Sequence, residues 1–233
     1  YRDRGGDLLV RHGDPADVVV DVATACSADR VVWNKDYSGV ARDRDTAVRQ
    51  ALNDADIARE SFHDAICHEP GSITTNDGDP YSVFTYFGRK WQDREKDAPY
   101  DPPGADALVT FEDDAPLPTL DELGFDEPEA DIPPAGTEAA RELLDDFLDH
   151  NVYRYDDRRD YAAEDCSSRL SAHLKYGTIG IREVYAETAA ARETVEPGSE
   201  RDESVAEFQS QLAWREFYTQ VLFANPDVVT ENY

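Results

Sequence analysis

The sequence predicts an α/β, Rossmann-like parallel-sheet domain, then a long linker, then the start of an all-α domain. Three observations carry this prediction. Residues 8–73 alternate strand-like and helix-like segments, residues 93–136 are crowded with proline, and the chain after residue 137 has helical apolar spacing. The corresponding limits are 1–92, 93–136 and 137–233.

LLVRHG (8–13) has the short apolar run of a buried strand, and DPADVVVDVATAC (14–26) opens on Asp-Pro and continues with helical spacing. RVVWN (30–34) reads as a second strand and is followed by a charged helix over roughly 40–55. ARESFHDAICHEPGSI (58–73) offers a third strand at its front and a loop behind it. Strands separated by helices favour parallel pairing, because a parallel neighbour requires a crossover connection. Neither G-x-G-x-x-G nor G-x-x-x-x-G-K-[ST] occurs, so no phosphate-cradling loop is visible.

Eight of the 13 prolines (99, 102, 103, 116, 118, 128, 133 and 134) fall within 93–136, which marks an irregular connector. Beyond it, TEAARELLDDFLDH (137–150) places Leu143, Leu144, Phe147 and Leu148 on one helical face. IREVYAETAAARE (181–193) and AEFQSQLAWREFY (206–218) continue in helical pattern, with no internal repeat.

The formal charge is −28, from 51 acidic residues against 23 basic ones, and only Lys35, Lys90, Lys96 and Lys175 are lysines. Acid dispersed along the whole chain suits a salt-loaded cytoplasm, where carboxylates stay hydrated and their repulsion is screened. A halophilic source and a cytoplasmic location are the expectations. Such charge opposes nucleic-acid binding unless a local basic site exists, with Arg159, Arg215 and Lys175 as its candidates. Cys26, Cys67 and Cys166 show neither metal spacing nor a disulfide framework, which suits a reducing compartment. No apolar run of about 18 residues marks a membrane span. A start at Tyr1 and the absence of Met suggest an internal piece of a longer chain.

The five histidines are scattered and form no ligand pair, so no metal site is expected. NVYRYDDRRDYAAEDCSSRLSAHLKYG (151–177) is richer, with Ser167, Ser168 and Ser171 around Arg169 where a helix could begin. Hydroxyls and helix N–H groups form an anion site, and Arg adds forked donors; a capped helix with solvated ion pairs would show the same residues. In 206–218, Gln211, Trp214, Arg215 and Tyr218 recur at three- and four-residue steps. That face is either the edge of a packed helix or a stacking platform with polar groups to read a base. Spacing leaves both open.

WREFY (214–218), SSRLSAHLKYG (167–177), YDDRRD (155–160) and WNKDYSGVARDRD (33–45), with GDPYSVFTYF (78–87) between, together resemble the DNA photolyase/cryptochrome family in the same order. The resemblance implies an α/β antenna domain lacking its first strand, a connector, and the N-terminal part of a helical FAD-binding domain. It implies FAD contacts at Tyr155, Ser167, Ser168, Arg169, Leu170, Ser171 and Phe208. It implies contacts to UV-damaged DNA at Arg159 and at Gln211, Leu212, Ala213, Trp214, Arg215, Glu216, Phe217 and Tyr218. Folate-binding relatives carry Asn-Glu where this chain has Val40 and Ala41, so a deazaflavin antenna is implied instead, held by Asp36, Arg44 and Lys175.

The implied activity is that of a deoxyribodipyrimidine photo-lyase, a monomeric enzyme splitting pyrimidine dimers in a flipped-out lesion by light-driven electron transfer. No catalytic residue is assigned within the chain. Gln211 stands where many dimer photolyases have Glu, which keeps a (6-4) photolyase or a cryptochrome photoreceptor as alternatives. The flavin contacts and tryptophan relay that the family places beyond Tyr233 have no counterpart, so this chain alone is expected to be inactive. A Rossmann-like nucleotide-binding protein with a helical partner domain explains neither WREFY nor SSRLS.

Overall fold

The computed structural model describes residues 1–111, 116–161 and 163–230. Part of the predicted linker and the last three residues therefore lie outside the described residues. Helix α1 (Pro15–Ala25) starts where expected because Asp14 accepts a hydrogen bond from the Ala16 N–H and Pro15 occupies the first turn. Strand β1 (Arg30–Asn34) follows, then α2 (Gly39–Asp54), capped by the Ser38 hydroxyl on the Ala41 N–H. Strand β2 (Ala58–Phe62) pairs with β1 in parallel, in the register Arg30↔Ala58 to Asn34↔Phe62.

The expected strand at 8–13 is not formed. The only ladder among the described residues is β1–β2, and an extended segment without a hydrogen-bonded neighbour does not become a strand. Leu9 instead borders an open apolar groove with Val18, Val22, Val31 and Phe111 of the linker.

Helix α3 (Phe84–Asp93) was not foreseen, since its residues carried only a motif. It buries Phe87 and Trp91 completely and lies against the last long helix rather than the sheet. The segment from Cys67 to Trp91 thus sits in the helical core, although it precedes the linker in sequence. The described linker residues after Asp93 are irregular apart from a 3₁₀ turn at Ala105–Ala107 and a hydrogen-bonded turn at 120–124.

Helix α4 (Thr137–Asp149) buries Ala140, Leu144 and Phe147, with Leu143 and Leu148 packed against the same core. Two short helices follow, α5 (Tyr155–Arg158) and α6 (Ser171–Tyr176), then α7 (Ile181–Glu193) as predicted. Helix α8 (Glu200–Ala224) follows, with one 3₁₀ turn at Pro226–Val229 after it. Ser199 caps it, and Glu200, Asp202 and Glu203 complement the positive end of its dipole. Its length lets it touch α3, α5 and α7 in turn, so it organises the helical domain.

Candidate functional site

Helix α8 has two unlike faces. Phe208, Leu212, Ala213, Glu216, Phe217 and Gln220 are buried, whereas Glu207, Gln211, Trp214 and Tyr218 form a partly exposed stripe at helical spacing. Trp214 is backed by the Phe84 ring of α3, stacked at 3.6 Å and 11°, and Tyr218 lies near-parallel to it at 5.5 Å. Tyr218 ends this three-ring stack and is 63% exposed. Of the residues expected at a DNA surface, Leu212, Ala213, Glu216 and Phe217 point inward instead. An eight-residue helical run necessarily turns through more than two full turns, so it cannot present one face throughout.

Arg215 also turns inward. It donates to the Ala65 carbonyl at 2.7 Å and the Leu174 carbonyl at 3.2 Å, bridging the loop after β2 to α6. Glu216 accepts the consecutive N–H groups of Cys67 at 2.8 Å and His68 at 3.1 Å. The Gln220 side-chain oxygen accepts from the Gly71 N–H one turn later. These side chains fasten the 65–71 loop to α8. Burial pushes the Glu216 carboxyl up to about 7 against the opposing pull of its hydrogen bonds, and burial pushes the His68 imidazole down to about 4.

A second group of expected residues gathers where α5 meets α8. Tyr155 meets Phe208 edge-on at 5.3 Å, and Phe147 packs on Phe208 at 4.7 Å. Burial raises the Tyr155 phenol above its usual value, opposed by Arg159. Arg159 pairs with Glu207, and Gln211 donates to the same Glu207 oxygen at 2.8 Å. Leu170 belongs to the same core cluster as Phe208. Around it, Ser167, Arg169 and Ser171 are exposed, and Arg169 adopts a left-handed conformation with φ 52°. Arg169 is held by Asp165 at 2.7 Å. Ser168 is half-buried, and its hydroxyl accepts the Leu170 N–H at 3.5 Å, so three hydroxyls and a guanidinium, groups that can bind an anion, lie around the start of α6. Phe208 is itself buried between Phe147 and Tyr155, so its ring offers an edge more than an open wall.

The third group meets in a cleft of about 510 Å³ between the carboxyl end of β1 and α6. Asn34–Tyr37 leave the carboxyl end of β1, where parallel sheets collect ligands, and Leu174–Gly177 face them from α6. Asp36, Arg44 and Lys175, separated by 139 positions at the extremes, all line this cleft. Lys175 Nζ is 3.8 Å from Asp36, and Arg44 is braced by Asp45 at 2.7 Å. Burial and nearby carboxylates push the Tyr37 phenol up. Arg159, Arg215 and Lys175 do not form one basic face. Arg215 and Lys175 border the cleft, while Arg159 is committed to Glu207 and does not line it.

Sequence reasoning missed Glu207, Phe84 and His63. Glu207 lies four residues before Gln211, so helical spacing could have found it. Phe84 comes from another helix, and no local signal could have paired it with Trp214. His63 contacts Lys35 at 2.8 Å and Tyr37 at 3.2 Å through a fold-dependent meeting of the two strand ends.

The comparisons with known proteins, in sequence and in fold, place the chain among the DNA photolyases. The family model described as DNA photolyase matches residues 1–104. The chain is 59% identical over 237 residues to the deoxyribodipyrimidine photo-lyase of Halobacterium salinarum, covering all of this chain and 49% of that protein. It is 40% identical to an uncharacterised 31.6 kDa Synechococcus protein, covering 93% and 77% of the two. A bacterial class III photolyase from Agrobacterium tumefaciens superposes with a TM-score of 0.85 at 29% identity, covering 99% of this chain and 48% of that one. An archaeal photolyase from Sulfolobus tokodaii, solved with two FAD molecules, superposes with a TM-score of 0.69 at 26% identity, covering 99% and 46%. The chain spans about half the length of most of these relatives. The similarity to a Halobacterium protein agrees with the dispersed acid surplus. Among the described residues, no helix is long and apolar enough to cross a membrane.

Proposed function

We propose that the protein carrying this chain is a deoxyribodipyrimidine photo-lyase that binds FAD and repairs cyclobutane pyrimidine dimers in UV-damaged DNA under blue light. The observation that carries this reading is the α8 stripe, where a ring stack built on Trp214 stands beside Gln211, a polar group within one turn of Phe208. A dimer must leave the duplex stack before its ring can be reached, and an extruded base needs a flat surface to receive it. Trp214 and Tyr218, backed by Phe84, supply that surface, and Gln211 supplies hydrogen bonds to the base edge. Tyr218 extends the stack, and Arg159 lies at its rim.

Ser167, Ser168, Ser171 and Arg169 would hold the FAD diphosphate, with Leu170 and Phe208 forming the apolar floor and Tyr155 fixing Phe208. The chemistry a bound reduced flavin supplies is the loan of one electron on excitation, returned after the cyclobutane bonds have opened. Arg215, Glu216, Leu212, Ala213 and Phe217 act from beneath, holding the stripe in place. Asp36, Arg44 and Lys175 would hold a deazaflavin antenna in the cleft between β1 and α6. Its apolar lining of Ile66, Ile181 and Leu222 suits a flat ring, and its charged rim suits an anionic tail.

The test uses the protein that carries this chain, loaded with reduced FAD in molar salt. Blue light should restore dimer-containing DNA. Bound reduced FAD with unchanged dimers would replace the repair reading by a photoreceptor one. Repair of (6-4) lesions alone would change the substrate but keep the stripe.

A further inference from the structure

Glu207 is the hub of a three-residue cluster. Its Oε1 accepts from Arg159 Nη1 and from Gln211 Nε2, the latter at 2.8 Å. Its Oε2 makes no hydrogen bond among the described residues. A carboxylate only accepts, so the Gln211 group facing it must be the NH₂ end, which fixes the amide orientation by chemistry. The Gln211 oxygen and the remaining N–H are then not engaged by Glu207, and Trp214 lies about one turn along the same stripe. An acceptor next to a donor is the complement of a pyrimidine imide edge, which offers N3–H beside a carbonyl.

The cluster also contradicts simple electrostatics. On a DNA-facing surface, a carboxylate repels phosphate and withdraws Arg159 from it. A partly buried acid in that place needs another reason to be there. We propose that Glu207 is a positioning residue of the lesion site: anchored by Arg159, it locks Gln211 in the orientation that reads the pyrimidine edge. This rests on the DNA reading above. Arg159 accordingly acts through Glu207 more than on phosphate.

The two explanations predict opposite signs. In the FAD-loaded protein at fixed molar salt, Glu207→Ala should weaken binding to an oligonucleotide with one thymine dimer by about three- to tenfold, the scale of one hydrogen bond. The same change should leave undamaged DNA unaffected or bound more tightly, because a negative charge is gone. Glu207→Gln, which keeps an acceptor oxygen for Gln211, should retain part of the discrimination. In a Gln211→Ala background, Glu207→Ala should have no further effect on discrimination. Equal changes toward both DNAs, or additive losses in the double variant, would overturn the positioning role. A wild-type protein that binds both DNAs alike would overturn the DNA reading itself and this inference with it. Wild-type discrimination fully preserved in Glu207→Ala would overturn the inference alone.

Discussion

The inward and outward faces of α8 use similar residues to opposite ends. Inward, Glu216 has both oxygens occupied by the Cys67 and His68 N–H groups, and Arg215 spans two backbone carbonyls. Outward, Glu207 and Gln211 satisfy each other and still have an oxygen to spare, and Tyr218 is open to solvent. A buried polar group gains most by completing its hydrogen bonds within the fold, as Glu216 and Arg215 do, and so becomes architecture, although Gln220 Nε2 on the same face has no partner among the described residues. A half-exposed one can hold a bond in reserve, so it can recognise a ligand. Adjacent letters of WREFY belong to these two regimes.

The comparison breaks most visibly at Glu216. Glu216→Ala leaves two buried N–H donors without an acceptor, at about 1–3 kcal/mol each, so a loss on the order of 3 kcal/mol is expected. Denaturant unfolding in molar salt measures it, and a loss under about 1 kcal/mol would show that the loop is held by packing alone. Its pH dependence has a definite sign. The folded carboxyl is raised from 4.5 to about 7, so its contribution is fully present below 4.5 and is lost as pH rises through 7. His68 runs the other way, depressed from 6.5 to about 4, with its contribution present above 6.5 and lost as pH falls through 4. The two slopes offset each other in the wild type. Comparison with Glu216→Gln cancels His68, so the stability gap should widen as pH falls from 7 to 4.5; a constant gap would mean Glu216 does not titrate in that window.

The outward face is tested next. Trp214→Ala should weaken binding to dimer-containing DNA by about 1–3 kcal/mol, the value of a lost base stack. Phe84→Leu should lose less, because it leaves the platform but removes its backing ring. Equal affinity of Trp214→Ala and wild type would leave Trp214 as packing between α3 and α8. A larger loss from Phe84→Leu than from Trp214→Ala would mean that α3, not the stack, governs binding.

Much of the fold was legible because its signals are local. Asp14-Pro15 marks the start of α1, Ser38 marks α2, and the 3.6-residue spacing of Leu144 and Phe147 marks the buried face of α4. The segment at 8–13 was misread because a strand depends on a partner the segment itself does not encode. At the site, the motifs named residues but not their directions. Gln211 and Arg215 are four positions apart and so nominally share a face, yet the side chain of Arg215 is drawn beneath the helix by the carbonyls of Ala65 and Leu174. Those acceptors lie 150 and 41 residues away, and only the tertiary fold brings them to it.

The smallest stability change and a distinct binding change are expected at the cleft between β1 and α6. Lys175 and Asp36 are exposed partners at 3.8 Å. Lys175→Ala should therefore shift unfolding by less than about 1 kcal/mol, as for other surface pairs. If the cleft takes a deazaflavin, the same substitution removes a cation from its rim and should weaken chromophore binding by about tenfold, the scale of a charge-assisted hydrogen bond. Fluorescence titration of the FAD-loaded protein with a deazaflavin measures it, and Ala172→Gly, at an exposed position of α6 outside the cleft lining, serves as the control for a general disturbance of α6. Unchanged affinity in Lys175→Ala would move the antenna out of this cleft. It would leave Asp36 and Lys175 as a weak tie between the end of β1 and α6, beside the stronger one that Arg215 and Glu216 make from α8 to the 65–68 loop.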